Sequence, residues 1–122
     1  MTEESLVQVS HDGDITIVEF PARLKHLDEP VIADISRGLV AAAESSTAGR
    51  LVLDLSHVEF FGSSFIEALF RAWNRLNQGQ KGRLVLCGVQ EYCREVLEVT
   101  HLDRLWPIVP TREAAIAACA SV

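Results

Sequence analysis

The spacing of apolar and polar positions changes several times along the chain, and each change marks a boundary. Near the start, Leu6, Val7 and Val9 form a short strand candidate. His11-Asp12-Gly13-Asp14 follows as a turn, because Asp-Gly supplies the positive φ that a tight hairpin needs. Residues 15–20, ITIVEF, then set Ile15, Ile17 and Glu19 against Thr16, Val18 and Phe20, with β-branched content that favours a strand. The two segments read as an N-terminal hairpin.

Asp28 stands just ahead of Pro30, which suits the first turn of a helix. Ile32, Ile35, Leu39, Ala42 and Ala43 then recur at helical spacing, so a helix is expected to run to about Glu44 and end in the polar cluster SSTAG at 45–49. LVLDL at 51–55 is a continuous apolar run, the mark of a strand buried on both faces. SHVEFFG at 56–62 connects it to Ser63, where the period becomes helical again. Ile66, Leu69, Phe70, Trp73 and Leu76 make one apolar stripe, and Gly79 marks the stop. RLVLCGV at 83–89 is another buried-strand candidate, and QEYCREVLEV at 90–99 a helix with Cys93, Val96 and Leu97 inward. WPIVP at 106–110 is proline-bounded, an edge strand at most. Thr111 caps a last helix, with Glu113 near its positive end and Ala115, Ile116 and Cys119 packing inward. The order β-β-α-β-α-β-α-(β)-α predicts a mixed sheet with helices packed on it, in one α/β domain spanning 1–122.

Composition narrows the function classes. Hydrophobic residues make up 48% of the 122 and charged residues 23%, enough for a real core. Seventeen acidic against eleven basic residues give a net charge of −6, which argues against nucleic acid, since phosphates call for a basic face. The acidic start Met1-Thr2-Glu3-Glu4-Ser5 is unlike a secretory signal, and no apolar run reaches the length of a membrane span. Cys87, Cys93 and Cys119 are odd in number and widely spaced, which fits buried free thiols in a reducing cytosol. A cytoplasmic protein is expected.

Enzyme chemistry finds little support. His11, His26, His57 and His101 have no partner histidine or cysteine at ligand spacing, so no metal site is expected. Gly62 alone is no P-loop, and no nucleotide-binding motif or cofactor site can be drawn. Ser63 at a strand-to-helix turn has a formal likeness to a nucleophile elbow, with His57 and Asp54 upstream. FGSSF nevertheless lacks the second glycine that lets such an elbow turn. Asp54 near the end of its strand reads as a loop cap, not a cation ligand alongside Glu59 and Glu67. Ser63 or Ser64 reads first as a helix N-cap. A helix N-terminus also tolerates a phosphoryl group on an exposed serine, so capping and switching are both open there.

RLVLDLSHVEFFGSSFIEALFRAWNRL, followed by GRLVLCGV and VLEVTHLDRLWPIVPTREAAIAA, resembles a STAS domain, the fold of anti-sigma-factor antagonists and of sulfate-transporter tails. The likeness runs from about Gly49 to Ala118. It implies a mixed four- to five-stranded sheet with about four helices packed on it, and a regulatory protein without catalytic activity or cofactor. Antagonists of this family bind a serine kinase of the histidine-kinase-like ATPase type that is also the anti-sigma factor. The kinase phosphorylates a serine at the start of the second helix, and a PP2C-type phosphatase reverses it. The family's D-S-S-G or D-S-T-G pattern aligns with Gly62-Ser63-Ser64-Phe65, which makes Ser63 the implied phosphoacceptor and Ser64 the second choice. Gly62 stands where the family has aspartate, and Phe65 where it has glycine. Gly62, Phe65, Glu67, Ala68, Arg71, Ala72 and Arg75 are the expected partner-binding positions. Phe65, Ala68 and Ala72 form a second apolar line that can serve a partner or pack internally. The alternative is a non-phosphorylated STAS scaffold subunit of a transporter or stressosome-like complex.

Overall fold

Strands β1 (Gln8–Asp12) and β2 (Ile15–Glu19) form the expected antiparallel hairpin, shifted along the chain: Leu6 and Val7 precede β1, and His11 and Asp12, expected in the turn, pair with Thr16 and Ile15, leaving Gly13 at φ +60 in the turn. The structure is a computed structural model describing residues 6–28, 30–79 and 81–120, so the acidic start Met1–Ser5 lies outside the described residues. After β2 come β3 (His26–Leu27), α1 (Ile32–Ser45), β4 (Arg50–Asp54), β5 (Phe60–Phe61) and α2 (Ser63–Leu76). The chain continues with β6 (Arg83–Cys87), α3 (Glu91–Val99), a 3-10 turn at Leu102–Arg104, β7 (Ile108–Val109) and α4 (Arg112–Ala120). The main sheet has the order β1-β2-β4-β6-β7, with every pair after the hairpin parallel and β7 at the edge. This is the mixed α/β sheet that the alternation of apolar runs and helical periods implies.

Each inner strand sends alternate side chains to two different cores, as a pleated strand must. Val18, Phe20, Leu51, Leu53, Leu55, Leu84 and Leu86 face a large core closed by α1, α2 and α3. Ile15, Ile17, Val52, Val85 and Cys87 face the other way, against Ala115 and Cys119 of α4. That double burial explains why 51–55 and 83–87 read as unbroken apolar runs. All three cysteines are free and buried, and burial pushes their thiols up, to about 12 at Cys87 and about 11 at Cys93 and Cys119.

The stripe predicted for α2 is rotated. Its innermost residues are Phe65, Ala68, Leu69, Ala72 and Leu76, whereas Ile66 and Trp73 are half-buried and Phe70 is 37% exposed. The cause lies elsewhere in the chain: wholly buried Trp106 packs against Phe70 and Trp73, covering a flank that counts as apolar without being central. Small Ala68 and Ala72 leave room for α1, whose own inner face includes Ala42 and Ala43.

His101 alone among the described non-glycine residues has a positive φ, +63, just before the 3-10 turn. A Cβ in the left-handed region meets the following carbonyl, and a β-branched one meets it more closely. His101→Val is expected to lower stability by about 1–2 kcal/mol, while His101→Gly holds or raises it. Urea midpoints of the two variants check the difference.

Candidate functional site

The N-terminus of α2 is aimed by a small accessory sheet. β3 and β5 pair in parallel, His26 with Phe60 and Leu27 with Phe61, and the buried Leu27 and Phe61 anchor them. Glu59 and Phe60 each donate a backbone N–H to the Lys25 carbonyl, at 2.8 and 3.1 Å. The chain therefore reaches Gly62 in a fixed direction and turns directly into the helix.

Gly62 is the N-cap, in an extended conformation with φ −103, and its carbonyl accepts the amides of Phe65 at 3.1 Å and Ile66 at 3.4 Å. This corrects the expectation that Ser63 or Ser64 caps the helix. Both serines are already inside the first turn, and neither hydroxyl forms a hydrogen bond among the described residues. Ser63 is exposed. Ser64 is half-buried and lines a groove of about 230 Å³ between α1 and α2, together with Ile32, Ala33, Ser36, Glu67 and Arg71. The first turn of α2 contains no acidic side chain, so its partial positive charge is uncompensated there.

Of the expected partner-binding positions, Phe65, Ala68 and Ala72 are fully buried and cannot meet a partner. The Phe65 ring lies 5.1 Å from Phe61 and 6.1 Å from Phe20, centroid to centroid, inside the large core. Gly62, Glu67, Arg71 and Arg75 keep surface access. The two arginines also tie α2 to α1, Arg71 donating to Ser36 Oγ at 3.3 Å and Arg75 pairing with Glu44 at 2.5 Å. An added side chain at Gly62 meets nothing within 4 Å, so space does not demand glycine there.

The four histidines are all exposed, and no group of histidine, cysteine and acidic residues suited to a metal occurs among the described residues. The Asp54 loop cap, in contrast, is real. Its Oδ1 accepts the Ser56 amide at 3.0 Å and the Ser56 hydroxyl, and its Oδ2 accepts Arg112 Nη2 at 2.9 Å. Arg112, in the first turn of α4, also reaches Glu19 at 3.0 Å. Burial works against ionisation of Asp54, but the hydrogen bonds from Ser56 and then Arg112 outweigh it and hold its carboxyl below the ordinary value of 3.8. Gly88 sits beside this cluster at φ +66, and an added Cβ there collides with Ser56 Oγ. Sequence reading missed Arg112 and Glu19. The available signal was a charged residue ending each of two apolar strands, and it becomes informative only once Glu19 and Asp54 are known to pair across the sheet.

Comparison with known proteins agrees with this architecture. The profile of the STAS domain matches residues 7–115. BtrV of Bordetella bronchiseptica, a candidate anti-sigma factor antagonist, is 34% identical over 79 residues, covering 65% of this chain and 67% of its own. An anti-sigma-factor antagonist (STAS) domain protein from Planctomyces limnophilus superposes with a TM-score of 0.85 at 41% identity, over 93% of this chain and 97% of that one. The anti-sigma factor antagonist SpoIIAA, solved in its unphosphorylated form, shares the fold at a TM-score of 0.74 and 15% identity, over 95% of this chain and 98% of its own. No helix among the described residues is long and apolar enough to cross a membrane. By its matched profile, its sheet order and its second-helix geometry, the chain belongs to the STAS domain family.

Proposed function

We propose that the chain is a cytoplasmic anti-sigma-factor antagonist, acting as a single domain and switched by phosphorylation of Ser63. The observation that carries this reading is an exposed serine hydroxyl, free of hydrogen bonds to the described residues, at the uncompensated N-terminus of a 14-residue helix in a STAS fold. Its partner is a serine kinase of the histidine-kinase-like ATPase type that doubles as the anti-sigma factor. Ser63 Oγ attacks the γ-phosphorus of ATP and loses its proton to a base of the kinase, with ADP as leaving group. A PP2C-type phosphatase hydrolyses the ester. The phosphoryl group adds about two negative charges, which the free amides of the first turn accommodate but the nucleotide phosphates of the docked kinase repel. Ser64 is the poorer acceptor, because it is half-buried in a groove that Glu67 also lines. Gly62, Glu67, Arg71 and Arg75 supply the surface around Ser63.

A non-phosphorylated scaffold subunit is the second reading. The observation favouring it is Gly62, where a carboxylate is absent although nothing crowds the position.

Ser63→Glu is expected to weaken binding to the cognate kinase by about tenfold or more, while Ser63→Ala binds like the parent and gains no phosphate when incubated with kinase and ATP. Calorimetry and intact-mass spectrometry measure both. Unmodified protein from the native host, combined with full binding by Ser63→Glu, would select the scaffold.

A further inference from the structure

A second surface, built around Phe60 three residues before Ser63, was not visible in the sequence. Three rings from three separate segments form a stack: Phe60 of β5 lies parallel to Tyr92 of α3 at 5.6 Å and 25°, and His26 of β3 meets Phe60 edge-on at 5.9 Å. The stack is held from below. β3 and β5 are hydrogen-bonded to each other, and Gln90 Nε2 donates to the Ser56 carbonyl at 2.8 Å, fastening the start of α3 to the loop before β5. Tyr92 is nevertheless 49% exposed, and His26 is exposed as well. A large ring stacked on one side and half open to water presents area for recognition at a low further cost in ordering entropy.

The surroundings select the occupant. Glu91 precedes Tyr92, Glu95 follows one helical turn later, and Glu59 precedes Phe60, all three exposed. Glu59 has Lys25 at 3.9 Å, a loose pair in which both side chains are more than half exposed. The whole chain carries −6. These three acids stand against two exposed bases, Lys25 and Arg94, in the same segments. A π-face in such a net acidic neighbourhood attracts a planar, weakly hydrated cation, and the arginine guanidinium is the side chain of that description. We propose that the Phe60–Tyr92 stack is a docking platform for an arginine side chain on a basic segment of the protein partner. The proposal rests on the partner-switching reading for its biological setting, because Phe60 lies only three residues before Ser63 in the chain. Arginine anchoring at the platform and phosphate repulsion at Ser63 are separate contributions, so each can be removed alone.

The test has two arms. In the first, an acetylated Gly-Arg-Arg-Gly amide peptide is titrated into the full chain and followed by ¹H–¹⁵N NMR. Shifts centred on His26, Phe60 and Tyr92 are expected, weaker by about tenfold or more with the citrulline counterpart and lost in Tyr92→Ala. Glu91→Gln/Glu95→Gln keeps the rings and is expected to reduce the response. Shifts spread evenly over remote acids such as Asp34 and Asp103, or retained in Tyr92→Ala, overturn the platform. In the second arm, the host's kinases of the histidine-kinase-like class are screened for binding. Tyr92→Ala is expected to weaken the one that binds by about tenfold without changing the further loss caused by Ser63→Glu. Unchanged binding by Tyr92→Ala beside a weakened Ser63→Glu overturns the platform and leaves the switch standing. A positive peptide arm with no kinase bound overturns the switch and supports the platform.

Discussion

Phe65→Gly is expected to unfold much of the protein's stability margin, whereas Gly62→Asp, at the other end of the same tetrapeptide, is expected to be harmless. Together the two substitutions restore the family's D-S-S-G pattern, yet they act on opposite physics. The Phe65 ring is fully buried between Phe20 and Phe61, so its loss removes a large apolar group and leaves a cavity. Truncation of a buried phenylalanine costs about 3–5 kcal/mol, and glycine in place of alanine adds up to about 1 more in a helix. Small domains hold about 5–15 kcal/mol in total, so most of the margin goes. Gly62 has φ −103, which any residue adopts, and an added side chain meets open space. Aspartate at an N-cap accepts first-turn amides and complements the helix dipole, for a gain of about 0.5 kcal/mol. Urea denaturation of the two single variants and the double variant checks this. A loss below about 1 kcal/mol for Phe65→Gly would show that the ring does not fill the core between Phe20 and Phe61.

The same residue shows where sequence reading stops. Apolar runs at 51–55 and 83–87, together with the helical periods, were enough for the strand and helix order, because burial on both faces and amphipathic spacing are local patterns. The inward face of α2 is not local. Two apolar lines run along that helix, and which one is central depends on Trp106, thirty residues beyond the helix end, covering Phe70 and Trp73. Phe65, Ala68 and Ala72 were therefore open to both roles in sequence and belong to the core in space. β3 and β5, at two residues each, are too short to show a period and exist only through each other. The Phe60–Tyr92 platform depends on them, so it was equally invisible. The serine pair was legible as a helix start, but its role was displaced by one residue, because Gly62 supplies the cap with its backbone alone.

Asp54→Asn is expected to reduce stability by about 2 kcal/mol at neutral pH, and the loss should fade in acid. Glu19, Asp54 and Cys87 stand side by side in register at the carboxyl ends of β2, β4 and β6, on the face that α4 covers. Arg112 enters that row from the start of α4 and bonds two of its members, while Ser56 closes the other oxygen of Asp54. The cluster therefore fastens α4 to the sheet and shapes the loop leading to β5 and Ser63. Asparagine keeps one acceptor for Ser56 but loses the charge that Arg112 faces. Because the folded-state pKa of Asp54 lies below its ordinary value of 3.8, its contribution is fully present above that pH and disappears as pH falls through the lower, folded value. The stability difference between parent and Asp54→Asn should be flat from about pH 5 to 8 and shrink below about pH 4. Urea titrations across that range measure it, and a difference that persists undiminished into acid would mean that the carboxylate's charge is not what holds Arg112. Arg112→Lys sharpens the assignment: lysine keeps the charge but lacks the paired Nε and Nη2 donors that both meet Asp54 Oδ2, at 3.2 and 2.9 Å, so it should recover only part of the loss caused by Arg112→Ala.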